Sequence, residues 1–310
     1  MAESIDATNA AAPTARSRGA LFVVVASLAF ATSGPVARLA RPAHPLLVAC
    51  GRVAIASAVL FALSPRGVID SLAAASRRQR LGMLVAGALL AAHFACFLIG
   101  LDRTSLPAAI SLVSLEPLSV VLCAWALHAI PPTRLELVGV FGATLGAFVV
   151  ARNAGTGEHR LSGDLLVILA VVIYGFYVSA ARSFRGAMSP RSYAAIVYGA
   201  AAIALVMVLP FASSGGGVLW PLPLNAWLAI FGLALIPTII GHTAVQGAAQ
   251  SLSPSTVALV SPGETLGGLV IAAFVNHALP TPVERLGGAI VIAGATVAIL
   301  GSRRRNKTPA

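Results

Sequence analysis

Charge is what this chain has least of. Only 10% of its 310 residues are Asp, Glu, Lys or Arg, 58% are apolar, and the mean hydropathy is +0.90. A folded domain in water needs far more surface charge, so a soluble globule is excluded and the bilayer is the solvent. Segments of alternating polarity are missing, which excludes a membrane barrel. No Walker A sequence is present, so any ATP hydrolysis would have to come from another protein. Cysteine is sparse: Cys50, Cys96 and Cys123 lie inside apolar stretches, odd in number and without metal-like spacing, and read as packing residues. Lysine is almost absent, Lys307 being the single one, a bias that carries no functional meaning.

What remains is a series of apolar stretches, each long enough to cross a hydrocarbon core of roughly 30 Å. They are ten in number, near 19–39, 45–64, 81–101, 105–129, 135–151, 163–183, 192–212, 224–249, 254–276 and 283–301. Backbone groups in lipid must bond within their own segment, so the spans are helices and the class is all-α, a polytopic membrane protein. The net charge of +11 follows topology rather than nucleic acid. With a cytoplasmic N-terminus, Arg16, Arg18, Arg66, Arg77, Arg78, Arg80, Arg134, Arg182, Arg185, Arg191, Arg303, Arg304, Arg305 and Lys307 face inward. Arg38, Arg41, Arg103, Arg152, Arg160 and Arg285 face outward, and Arg52 alone lies within a span. This excess fits the positive-inside rule and puts both termini on the cytoplasmic side of a bacterial inner membrane. Residues 1–18 read as a disordered, uncleaved cytoplasmic segment and 302–310 as a basic cytoplasmic tail.

The chain is also a duplication. A shift of 148 places Glu116 on Glu264, Leu118 on Leu266, Pro132-Thr133 on Pro280-Thr281, Glu136 on Glu284, Gly139 on Gly287 and Gly146-Ala147 on Gly294-Ala295. A shift of 144 overlays Gly19, Leu21, Val23, Ala26 and Arg38 on Gly163, Leu165, Val167, Ala170 and Arg182. Each unit, 19–151 and 163–301, then holds five helices. Five is odd, so the second copy enters the membrane from the opposite side, and the units form inverted repeats whose shared interface near the midplane is the expected substrate site.

Several features together resemble one family. Ser33-Gly34-Pro35 stands near the end of the first span, Arg52 early in the second, and Leu115-Glu116-Pro117 in the fourth. A Pro-Thr turn precedes the last helix of each unit, and Ile236-Pro237-Thr238-Ile239-Ile240-Gly241-His242 lies in the eighth span. This order is similar to the EamA-type branch of the drug/metabolite transporter superfamily over about 19–301. The family's Glu before the Thr of the fifth and tenth helices is replaced here by Pro132 and Pro280, with acids three residues after the Thr at Glu136 and Glu284. No role is carried over for that Glu. The resemblance implies a transporter, with amino-acid-like metabolites and export favoured.

The candidate site residues are the polar groups marooned in these spans. A carboxylate at bilayer depth costs roughly 2.5–3.5 kcal/mol even on lenient insertion scales, so Glu116 and Glu264, mirrored at mid-span, point to handling of a polar solute or a proton. The alternative is a structural hydrogen bond to a neighbouring helix. Arg52, whose mirror position holds Val197, reads as a substrate-facing charge, as the ion-pair partner of Glu116 or Glu264, or as a side chain snorkelling to the nearer surface. His93 and His242 fall within one residue of equivalence and either line the cavity or pack; no second ligand sits at i,i+4 for a metal. Ser33, Ser111, Ser114, Tyr174, Tyr177, Thr238 and Gln246 are candidate substrate contacts, with bonding to other helices or to their own backbone as the plainer role. Gly139, Gly142 and Gly146, with Gly287, Gly288 and Gly294, form small-residue seams for packing within the monomer or in a homodimer.

Secondary transport of a small organic solute, without a cofactor, is the function these features favour. A lipid-linked sugar flippase of the same superfamily would need a lateral opening and further basic residues beside it. An integral-membrane enzyme acting on lipids would need clustered Asp or His, which the chain lacks.

Overall fold

The computed structural model describes residues 15–104, 106–152, 160–212, 217–276 and 281–305. The expected N-terminal segment, from residue 14 back, and the tail beyond residue 305 lie outside the described residues.

The described chain is helical throughout: α1 Ala15–Phe30, α2 Ser33–Leu39, α3 Pro45–Leu63, α4 Pro65–Ala74, α5 Arg77–Arg103, α6 Leu106–Val113, α7 Glu116–His128, α8 Arg134–Arg152, α9 Leu161–Arg182, α10 Pro190–Val208, α11 Leu224–Leu233, α12 Thr243–Ser251, α13 Pro254–Val257, α14 Val260–Asn276 and α15 Pro282–Arg305. A π-helical stretch, Ala234–His242, joins α11 to α12. Among these residues nine segments are long and apolar enough to cross a bilayer, from Gly19–Leu39 to Pro282–Arg304. The stretch expected at 254–276 is divided into α13 and the 17-residue α14, at the short end of what spans a membrane. The surface helix α4, between the second and third spans, was not anticipated; it exposes Ile69 and Leu72 and buries Val68.

Prolines decide where spans break. Pro35, Pro117 and Pro262 each stand within the first three residues of α2, α7 and α14, so each removes an N–H that would bond back across the preceding turn, and the helix restarts there. Pro237 lies inside the π-helical stretch, where the wider turn accommodates the missing donor. Discontinuous helices of this kind free polar groups at membrane depth, and they are tolerated where protein surrounds them.

The contacts fix direction. A Cβ on Gly82, near the start of α5, would meet Phe184 beyond the end of α9; one on Gly100 would meet Gly163 O at the start of α9. The two helices are therefore antiparallel. Arg38, at the end of α2, donates to the carbonyls of Leu101 (3.3 Å) and Thr104 (3.0 Å), which close α5. Arg182, its counterpart under the 144 shift, donates to those of Leu252 (2.6 Å) and Ala249 (3.5 Å), which close α12. A Cβ on Gly19 would touch Leu252, so α1 starts at the end of the bundle where α9 finishes. The equivalent spans run in opposite directions, and the two capping arginines sit at opposite ends, each neutralising the carbonyl end of a helix dipole.

The last helices of the two halves, α8 and α15, cross antiparallel at backbone contact. A Cβ built on Gly139 would lie 2.2 Å from Ala298 N, and one on Gly294 would lie 2.3 Å from Ala143 N. The glycine seams thus serve the interior of this chain, with Gly146 and Gly287 in the same crossing. Glu136 and Glu284 are explained by the starts of these helices. Thr133 Oγ1 accepts the Glu136 N–H (3.2 Å) while Glu136 Oε2 accepts the Thr133 N–H (2.8 Å), and Thr281 and Glu284 repeat the exchange at 3.3 and 2.6 Å. These are capping boxes, legible as Thr-x-x-Glu. Glu136 is fully buried and also accepts from Ser255 Oγ.

At the end of the bundle that holds Arg38, the two halves meet through main chain: His44 N donates to Val218 O (2.9 Å) and Val218 N to Pro42 O (2.8 Å). His44 also caps α3, its Nδ1 accepting the Leu46 N–H (3.1 Å). Burial lowers its pKa, against a smaller opposing pull from Asp102. The fold therefore favours the neutral ring: the stabilisation is complete above the unfolded value, about 6.5, and is lost as pH falls from there toward the lower folded value. His44→Asn, which retains a capping acceptor, is expected to flatten the decline in unfolding temperature between pH 7 and pH 5; an unchanged decline would remove His44 as its source.

Candidate functional site

The site forms where α1, α3, α5, α9, α10 and the Ala234–His242 stretch converge. Arg52 on α3 is 1% exposed. Its Nε donates to Thr238 Oγ1 at 2.9 Å, and the Thr238 hydroxyl in turn donates to Leu233 O (2.7 Å), five residues back in the π-helical turn. The guanidinium carbon stands 3.9 Å over the ring centre of Phe94, a cation–π geometry. Tyr177 and Tyr198 lie within electrostatic reach. Tyr198 donates to Thr238 O (3.0 Å), so two side chains hold the same wide turn from different helices. Among the described residues Arg52 makes no ion pair with Glu116 or Glu264, and its Nη1 and Nη2 have no partner.

His242 lies in an aromatic cluster, its ring centre 4.6 Å from Phe30, 5.0 Å from Phe94, 5.7 Å from Tyr177 and 6.1 Å from Tyr174. His93 is 6.2 Å away, so the structure brings the two histidines together. The Nδ1 of His93 contacts Ala170 O at 3.0 Å, and because a carbonyl only accepts, that nitrogen carries the proton. His242 Nδ1 has no partner. Gln246 is fully buried; its Nε2 donates to Tyr177 Oη (2.5 Å) while its Oε1 has no partner.

Glu116 and Glu264 come from opposite halves. Glu116 opens α7 and is buried, Glu264 is half-buried on α14, and the two carboxyls lie within electrostatic reach of each other and of Tyr174. Ser261, a turn before Glu264, donates to Val113 O (3.0 Å) with its hydroxyl beside Glu116. Tyr174 and Tyr177, with ring centres 6.2 Å apart, connect this acidic pair to the Arg52 end.

The remaining candidates divide. Ser114 is buried but its hydroxyl is taken by Ile110 O (3.0 Å), the plainer role. Ser111 is buried in α6 and Ser33 half-buried at the start of α2. Phe30, Phe94, Tyr198 and Ser261 were missed by reading polar residues alone. A signal existed for the rings: aromatics make up 6% of the chain, and these fall mid-span. Among the described residues no group of three or more His, Cys, Asp or Glu could hold a metal ion.

A groove of about 970 Å³ lies beside α5, α7 and α9, lined by Leu81, Val85, Leu127 and Phe176 together with Arg78 and His128.

Comparison with known proteins places this arrangement. A family model described as "EamA-like transporter family" matches residues 17–152 and again 161–300. A curated protein of Streptantibioticus cattleyicolor, named a probable terminal-alkyne amino-acid exporter, is 27% identical over 205 residues, which cover 64% of this chain and 66% of that protein. A protein of known crystal structure superposes with a TM-score of 0.76 at 22% identity, over 93% of this chain and 99% of that one, a likeness of fold alone.

Proposed function

Since the chain belongs to the EamA-like transporter family and is a multi-pass membrane protein, we propose that it is a secondary transporter, exporting a small amino-acid-like or drug-like metabolite across the bacterial inner membrane. The observation that carries this is that Glu116 and Glu264 lie within electrostatic reach of each other and of Tyr174. Two carboxyls on mirrored helices at membrane depth, with Ser261 and Tyr174 beside them, form a place where a proton or an ammonium group can be held and exchanged. The units are inverted five-helix repeats, the second completed by α13 and α14 as a tenth span, and the opposed α1 and α9 support that geometry. Exchange of the two halves' conformations would open the site first to one side and then to the other. Both termini are cytoplasmic, and Glu116 and Glu264 couple flux to protons. The amino-acid exporter among the relatives supports an amino-acid-like cargo.

The experiment is flux of labelled neutral amino acids from proteoliposomes with and without an imposed pH gradient. Movement above that of empty liposomes, accelerated by the gradient, is the expected result; no movement across the whole set would sink an amino-acid-like cargo. A second reading, a lipid-linked sugar flippase, is favoured by the apolar groove with Arg78 and His128. It is separated by translocation of a fluorescent lipid phosphate in the same vesicles, which the first reading expects to be absent.

A further inference from the structure

We propose that Arg52 anchors an anion subsite that takes the carboxylate of the transported solute, a deepening that rests on the transporter reading above. The guanidinium is 1% exposed, and one of its three nitrogens is satisfied. A buried cation without an anion is among the least favourable arrangements in a protein, because the field it loses in water is not replaced. The fold does not require it. The mirror position in the other half holds Val197, which is fully buried and packs as an apolar residue should.

The group is tethered at two points and leaves two donors in reserve. Thr238 takes the Nε–H and the Phe94 ring lies 3.9 Å beneath the guanidinium carbon, while Nη1 and Nη2 have no hydrogen-bond partner. Two parallel N–H donors in a plane match a carboxylate, and a lysine at the same place could not reproduce that match. Two further buried polar atoms of the same cluster are unpartnered, His242 Nδ1 and Gln246 Oε1, and Tyr177 connects them, hydrogen-bonded to Gln246 and 5.7 Å from the His242 ring. The rings of Phe30, Phe94 and Tyr174 supply the apolar wall. The acidic pair lies at the other end: the electrostatic neighbours of Arg52 are Tyr198, Tyr177, His93 and His242, while those of Glu116 include Glu264 and Tyr174. A solute with a carboxylate and an apolar body would place the first on Arg52 and the second among the rings.

The test is equilibrium binding to the full chain in detergent micelles, using acids paired with their amides: 3-phenylpropanoate, hexanoate and L-phenylalanine against the corresponding carboxamides, with inorganic phosphate and chloride as competitors. In the wild type at least one acid is expected to bind tenfold or more tighter than its amide. That preference is expected to vanish in Arg52→Gln and to return only in part in Arg52→Lys, which keeps the charge and loses the fork. Arg52→Met, which removes a cation that has no anion, is expected to unfold at no lower temperature than the wild type. Four results would overturn the proposal: no acid preferred in the wild type, preference surviving in folded Arg52→Gln, phosphate or chloride displacing the acid at equal concentration, or all three variants failing to fold. Binding in micelles needs no flux. Arg52-dependent acid binding without transport would therefore sink the transporter reading alone, and transport with Arg52-independent binding would sink the subsite alone.

Discussion

Glu116→Gln and Glu264→Gln are each expected to lower solute flux in proteoliposomes at least tenfold, while the protein elutes as the same monodisperse species and unfolds at no lower temperature. The amide is nearly isosteric with the acid, and at position 116 it can still hydrogen-bond to Ser261, so packing is kept; what is lost is the ability to carry and release a proton or to hold a positive charge. Because the two carboxyls, from different halves, lie within electrostatic reach of each other, they should act as one unit. The double variant should then be no worse than the weaker single, rather than the product of the two losses. Stability is expected to hold or rise, since a neutral amide is less costly than an ionisable acid at membrane depth. If both single variants move solute at the wild-type rate, the pair has no place in transport.

Gly139→Ala and Gly294→Ala are expected to be the most destabilising single-methyl additions in the chain. At both positions the added carbon would lie within 2.3 Å of a main-chain nitrogen of the opposing helix. A side chain could rotate away; a helix backbone cannot, so α8 and α15 would have to separate along the crossing. Overpacking usually costs about 1–3 kcal/mol, and here, where the obstacle is backbone, about 3 kcal/mol or more. That corresponds to a fall in unfolding temperature on the order of 10 °C, readable by thermal scanning in detergent. Gly268→Ala is the control. Nothing lies within 4 Å of its added carbon, so the change should stay within about 1 kcal/mol of the wild type. Equal tolerance at all three positions would show that the crossing is looser than its geometry.

Much of the site was visible in the chain before any folding was considered. Glu116, Glu264, Arg52, His93 and His242 stood out because each is expensive where it lies, and expense does not depend on what surrounds the residue. Which of them touch is a different matter. Spacing along the chain allows Arg52 to meet either glutamate; instead Thr238 and Phe94 hold it, on helices far apart in sequence. Ser114 and Ser111 are equivalent as sequence, and only the fold turns the Ser114 hydroxyl back to Ile110. Ser261 was hidden because a serine in an apolar helix is ordinary, and only its place beside Glu116 gives it meaning.

The sequence by itself determined the solvent, the helical class, the duplication and the starts of the broken helices. These depend on properties carried by residues singly or by spacing along the chain: apolar length, missing proline N–H groups, repeated positions. Tertiary structure alone decided that the glycine seams close the molecule on itself, that the mirrored carboxyls come within electrostatic reach of each other, and that Arg52 has no anion beside it among the described residues. Such facts are distances between segments that the chain brings together from opposite halves, and no local pattern encodes a distance across a bilayer.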